Sequence, residues 1–151
     1  MVEQFRRELL VAAPRATVWN VVTDVDRLAG WISIVGSALE LARLERYSAV
    51  LEDRMGPFRL RADLNIEVLD ARAPEFVRVR AAGEDRQIGS RIAVAATLAI
   101  AEFAPGSLLT VEGSYEVTGR VAALGTSSIR KKAARVLDEF IESAQAELGP
   151  V

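Results

Sequence analysis

Any chemistry in this chain rests on carboxylates, lysine, arginine and tyrosine, because none of its 151 residues is a cysteine or a histidine. That absence removes thiolate nucleophiles, disulfides, Fe–S clusters and zinc sites built on Cys or His. It also removes the usual general base near neutral pH and every Ser-His-Asp arrangement. Glu112 and Glu116 fall on the outer phase of one strand and make a poor acid/base pair. Asp53 is better placed, in phase with Tyr47, Leu51 and Met55. An inward carboxylate is costly unless paired. Two readings follow: Asp53 orients the polar head of a ligand with Tyr115 as hydroxyl partner, or it sits wet at the strand end. The segment from Gly119 to Gly125 fits neither the phosphate loop nor the dinucleotide fingerprint.

Basic residues form two groups. Arg59 and Arg61 project outward from one strand, and Arg78 and Arg80 from the next. Together they make a stripe that either meets an anionic lipid or acidic partner, or is a solvated face balanced by Asp63 and Glu67. Arg130, Lys131, Lys132 and Arg135 cluster near the start of the last helix, where cations oppose the helix dipole. With Trp31 and Ile32 they are a candidate docking surface for membrane or enzyme, the alternative being plain solvent exposure.

The elements that position these groups follow from length, composition and periodicity. A chain of 151 residues is read as one domain, residues 1–151. Half of it is hydrophobic, a surplus that needs a large core, an apolar cavity or a contact patch. The net charge of −2 argues against a nucleic-acid binder. The charged N-terminus is unlike a signal peptide, and no run approaches the ~20 apolar residues of a spanning helix. A cytoplasmic location is the expectation.

Residues 4–12 read as a strand with Phe5, Leu9 and Val11 on one face. Pro14 suits the first position of a helix, Asp26 the cap of a second short one, and Gly36 its end. Strands follow with period-two alternation: residues 37–44, then Tyr47, Ala49 and Leu51 on one face, then a turn at Gly56-Pro57. Residues 58–68 alternate most cleanly, residues 76–81 come next, and 83–86 read as a loop. Residues 88–103 and 108–118 form the last hairpin, and one amphipathic helix spans about 121–148. The pattern predicts an α+β domain: a curved antiparallel sheet of about seven strands gripping a long C-terminal helix, with two short helices after the first strand.

On this reading Tyr47, Leu51, Met55, Leu60, Leu64, Ile66, Val79, Ile92, Val94, Leu98, Val111, Tyr115 and Val117 face the last helix. Val136, Leu137 and Phe140 point back at them. A filled core and a ligand cavity both demand such residues. Ala62, Ala93, Ala95 and Gly113 on the same elements favour space over dense filling.

The order of elements resembles the helix-grip fold of the START-like (SRPBCC) superfamily. Within it the chain is similar to the CoxG family of carbon monoxide dehydrogenase subunits. Val11-Ala12-Ala13-Pro14, Val18-Trp19 and Asp24 to Ala29 resemble the family's opening strand and helix pair. Tyr47 to Glu52 with Met55-Gly56-Pro57 resembles its strand and turn, and Gly119 to Gly125 its glycine-framed entry to the last helix. The segment Trp31 to Gly36 departs, since the family usually carries a Pro-Gly turn there, and the chain stops at Val151 without the extension of some members.

The resemblance implies an accessory role, not a catalytic subunit, and no cofactor is expected. Family members occur with molybdenum-containing hydroxylases of the carbon monoxide dehydrogenase type. They are linked to membrane association or to carriage of a hydrophobic electron acceptor such as a quinone. The favoured expectation is a non-enzymatic module that holds a quinone or lipid and touches the membrane peripherally. The alternatives are a polyketide aromatase/cyclase-like enzyme, supported if Asp53, Tyr47 and Tyr115 converge, and a docking scaffold without a ligand.

Overall fold

A computed structural model describes residues 2–151. The first strand, β1 (Val2–Val11), leads into two short helices, α1 (Arg15–Val22) and α2 (Val25–Trp31). Six strands follow: β2 (Val35–Ala42), β3 (Arg46–Met55), β4 (Phe58–Arg72), β5 (Phe76–Asp85), β6 (Ser90–Phe103) and β7 (Gly106–Gly119). A 3-10 turn (Arg120–Leu124) then precedes the long helix α3 (Thr126–Leu148).

The sheet has seven strands in the order β1-β7-β6-β5-β4-β3-β2, and every neighbouring pair is antiparallel. β2 to β7 form a meander, so each hairpin sets the register of the next strand. β1 and β2 lie on opposite edges, and α1 and α2 carry the chain from one edge to the other. Register shifts in β2 and at Val68/Asp70 of β4 mark bulges, which bend and twist a sheet. One face carries the alternating apolar positions, and α3 lies against it.

Several boundaries differ from the sequence reading. The long helix begins at Thr126 and not near Val121, because Gly125 has φ 94° and ψ 154°, a conformation reserved for glycine. Gly119 has φ 87°, and a Cβ there would collide with the Gly89 carbonyl oxygen. The two glycines isolate the 3-10 turn as a separate step onto the sheet. Asp24, not Asp26, caps α2, its carboxylate accepting from the amides of Asp26 and Arg27. Pro14 precedes the first helical residue, Arg15. Gly36 lies inside β2, and residues 83–85 belong to β5 because Asp85 still pairs with Ser90.

The buried side chains fall into two clusters. One gathers Val11, Val18, Trp19, Val22, Trp31, Leu109, Val111, Phe140, Ala144 and Leu148 around α1, α2 and the C-terminal half of α3. Backbone bonds lock that end: Ala12 N–H donates to the Gly149 carbonyl at 2.9 Å and Ala13 N–H to that of Leu148 at 3.1 Å. The buried Ser107 hydroxyl donates to the Ala13 carbonyl at 2.7 Å. The other cluster is smaller, with Ala49, Leu51, Leu60, Ala62 and Leu64 under Val121 of the 3-10 turn.

Candidate ligand cavity

The N-terminal half of α3 does not close onto the sheet. Its buried residues, Phe140, Ala144 and Leu148, all lie in the C-terminal half. Beneath the other half is an apolar cavity of about 210 Å³. Leu51, Asp53 and Met55 of β3, Leu60 of β4, Ile92 and Val94 of β6, and Tyr115 and Val117 of β7 form its floor. Ile129, Lys132, Ala133, Val136 and Leu137 form its roof, with Phe5, Ile34 and Val121 at the sides.

A second cavity of about 200 Å³ lies under the two short helices. It is walled by Val22, Thr23, Val25, Leu28 and Leu44, and by Tyr47, Ile66, Val68, Val77, Val79 and Leu98 of the sheet. The expected single interior is therefore two chambers. Tyr47, Ile66, Val79 and Leu98 line the second. Leu64, Val111 and Phe140 line neither and are packed core.

Polar contacts at the first cavity differ from the sequence reading. Lys132 Nζ lies 2.5 Å from Asp53 Oδ2, and both side chains are mostly buried. Asp53 is thus neither wet nor partnered by Tyr115. An ion pair with little water around it is screened less than a surface pair. Across the cavity Arg130 makes a forked bond to Glu3 of β1, Nε to Oε2 at 3.0 Å and Nη2 to Oε1 at 2.9 Å. Two ion pairs therefore tie the first turns of α3 to β3 on one flank and β1 on the other. The Tyr115 hydroxyl, stacked beside Phe5 with ring centroids 6.4 Å apart, is pushed above its ordinary pKa by burial and then by Glu3, with Arg130 opposing. It stays a neutral donor near pH 7.

The docking surface expected from Trp31, Ile32, Arg130, Lys131, Lys132 and Arg135 is dispersed. Trp31 is buried edge-on against Phe140 with centroids 5.4 Å apart, and Ile32 packs on the same cluster. Arg130 and Lys132 are consumed by Glu3 and Asp53. Lys131 and Arg135 remain exposed, with no ion pair among the described residues. On the outer face of the sheet Arg61 pairs with Glu52 at 3.1 Å and Arg80 with Glu67 at 2.7 Å. Arg78 lies over Phe76, and Arg59 has no ion pair among the described residues.

Sequence reasoning missed Lys132 and Glu3 as inward residues. The signal was present: Lys132 stands three residues after Ile129 and four before Val136, inside the apolar stripe, and Glu3 shares the phase of Phe5, Leu9 and Val11.

Comparison with known proteins bears on this geometry. No curated protein matches the chain. Among solved structures, a conserved protein from Geobacillus kaustophilus superposes with a TM-score of 0.82 at 22% identity, covering 98% of this chain and 95% of that one. A START superfamily protein from Mycobacterium smegmatis gives 0.71 at 16% identity, covering 97% and 96%. The di-domain ARO/CYC StfQ from the steffimycin biosynthetic pathway gives 0.67 at 13% identity, covering 98% of this chain and 51% of that one. These likenesses establish the START-like helix-grip fold. The family model of the carbon monoxide dehydrogenase subunit CoxG matches residues 8–149, and the chain belongs to that family.

Proposed function

We propose that the protein is a non-enzymatic binding module that holds an apolar small molecule, a quinone or a lipid, beneath the N-terminal half of α3. It serves a molybdenum-containing hydroxylase of the carbon monoxide dehydrogenase type, by carriage of that molecule or by peripheral contact with the membrane. The observation that carries the reading is the apolar cavity, whose lining residues include the paired Lys132 and Asp53. Apolar walls with a few placed polar groups are what small-molecule pockets share. The family and the fold both fit a ligand-binding accessory role. No helix among the described residues is long and apolar enough to cross a membrane.

An aromatase/cyclase-like activity is the second reading, and the likeness to StfQ is its support. Its expected polar set does not converge. Asp53 and Tyr115 line the first cavity, but Asp53 is taken by Lys132 and Tyr47 lies in the other chamber.

Native mass spectrometry of the extracted protein, followed by titration with quinone analogues and phospholipids, tests the proposal. A co-purifying apolar molecule, displaced by one of those probes, is expected. No adduct and no binding across both classes would overturn it.

A further inference from the structure

The last row of the β3–β4 hairpin breaks a rule that the row two residues away obeys. Arg61 stands opposite Glu52 and pairs with it at 3.1 Å. Arg54 stands opposite Arg59, both exposed, and neither has an ion pair among the described residues. Like charges directly opposite on one sheet face are destabilising. Glu52, the carboxylate beside Arg54 on the outer face of β3, is spent on Arg61.

Between the two arginines lies an apolar turn, Met55-Gly56-Pro57-Phe58. Gly56 and Pro57 are exposed, and Met55 and Phe58 are half-buried. Leu124 of the 3-10 turn lies against Gly56. Arg120 opens that turn, exposed and with no ion pair among the described residues. Its N–H donates to the Gly89 carbonyl at 3.3 Å, which brings in the β5–β6 turn, where Arg86 and Arg91 share Glu84.

This end of the sheet is therefore rimmed by more arginines than carboxylates, around apolar residues. Asp63 and Glu116, unpaired among the described residues, lie four residues back from Arg59 and Arg120, about 13 Å along the strands. At the opposite end the unpaired carboxylates Asp26, Glu45 and Asp70 offset the unpaired Arg46 and Arg78. A charge distribution with one basic end orients a protein toward an anionic surface.

We propose that this rim docks the domain on an anionic bilayer. Arg54, Arg59 and Arg120 meet the phosphates of lipid headgroups, and the turn from Met55 to Phe58 enters the boundary between headgroups and acyl chains. That boundary accepts apolar side chains flanked by cations. An acidic protein surface would engage the charges and leave the apolar turn unused. The inference rests on the reading above, in which the domain touches a membrane peripherally, and it names the face that does so. Met55 also lines the first cavity, so docking by this rim brings that cavity to the bilayer.

Cosedimentation of the full chain with lipid vesicles tests this. Binding is expected to vesicles of equal parts phosphatidylglycerol and phosphatidylcholine, not to phosphatidylcholine alone, and it should fall as salt rises. Arg54→Gln with Arg59→Gln should weaken it at least about tenfold, since each cation near an anionic surface contributes. That double variant should be no less stable than the parent, because it removes a repulsion. Arg46→Gln with Arg78→Gln takes the same charge from the other end and should change binding less than about twofold. Equal losses in the two double variants, or equal binding to both vesicle types, would overturn the proposal. Pro57→Trp puts a reporter on the exposed turn. Brominated acyl chains should quench it, while the buried Trp19 and Trp31 keep their emission. Binding without that quenching would overturn the bilayer as the partner and leave an acidic protein face in its place. No binding to either vesicle, with quinone analogues still taken up from solution, would overturn the docking rim and leave the reading of the cavity intact.

Discussion

The two halves of α3 rest on one sheet and are held to it by different forces. The C-terminal half is held by packing: Phe140, Ala144 and Leu148 are buried against Trp31, Val11 and Leu109, and the helix end is bonded to the β1–α1 junction. The N-terminal half is held by Lys132–Asp53 and Arg130–Glu3, with a cavity between them. Apolar packing is non-directional and resists opening over its whole area. Ion pairs are local and can be exchanged for a ligand's polar group without disturbing the core. The fold therefore keeps one end closed by packing and one end held by local contacts around a cavity.

Mutations can break that contrast. The largest effect is expected at Phe140→Ala, a loss of about 3–5 kcal/mol in chemical denaturation, because a large side chain leaves a filled cluster. Val136→Ala, one helical turn away, should cost under about 1.5 kcal/mol, because it borders space already empty. Equal losses would show that the halves are not different.

Next comes Lys132→Met. It strands a mostly buried carboxylate and should cost about 1–3 kcal/mol. Adding Asp53→Leu should restore most of that, since an ion pair can be replaced by apolar contact. A double-mutant cycle showing no coupling would show that Lys132–Asp53 does not hold the helix to β3.

Arg130→Gln should cost less than Lys132→Met, and the loss should shrink further in 1 M salt, because the Arg130 guanidinium is well exposed. A loss that salt does not change would show a desolvated pair instead.

The smallest effect concerns Tyr115. Its pKa is raised above 10.0 in the fold, so the stability this contributes is present below that pH and is lost as pH rises through the folded value. In denaturation, the parent should lose stability relative to Tyr115→Phe between pH 8 and pH 11.

The fold was legible because its evidence is periodic. Alternation in residues 58–68 and the stripe from Ile129 to Leu148 each fix a face without knowledge of the partner. Boundaries set by a single backbone angle, such as Gly125 at φ 94°, were not, because a glycine inside a helical pattern announces no particular φ. The candidate site was half legible. Leu51, Met55, Ile92, Val94 and Tyr115 follow from strand phase alone. The split into two chambers depends on where α3 and α2 drop their side chains, and Trp31 looked free only because its neighbour Phe140 is distant in sequence. Charge misled most: Arg130 and Lys132 read as part of a docking surface or a solvent-exposed cluster, although Lys132 sits in the apolar stripe.

Hydrogen exchange along α3 tests the central claim most directly. Amides of residues 132–137, past the first turn, should exchange by local opening at least about tenfold faster than those of residues 140–148, which should open only with global unfolding. Uniform protection along the helix, or greater protection at residues 132–137, would contradict the account.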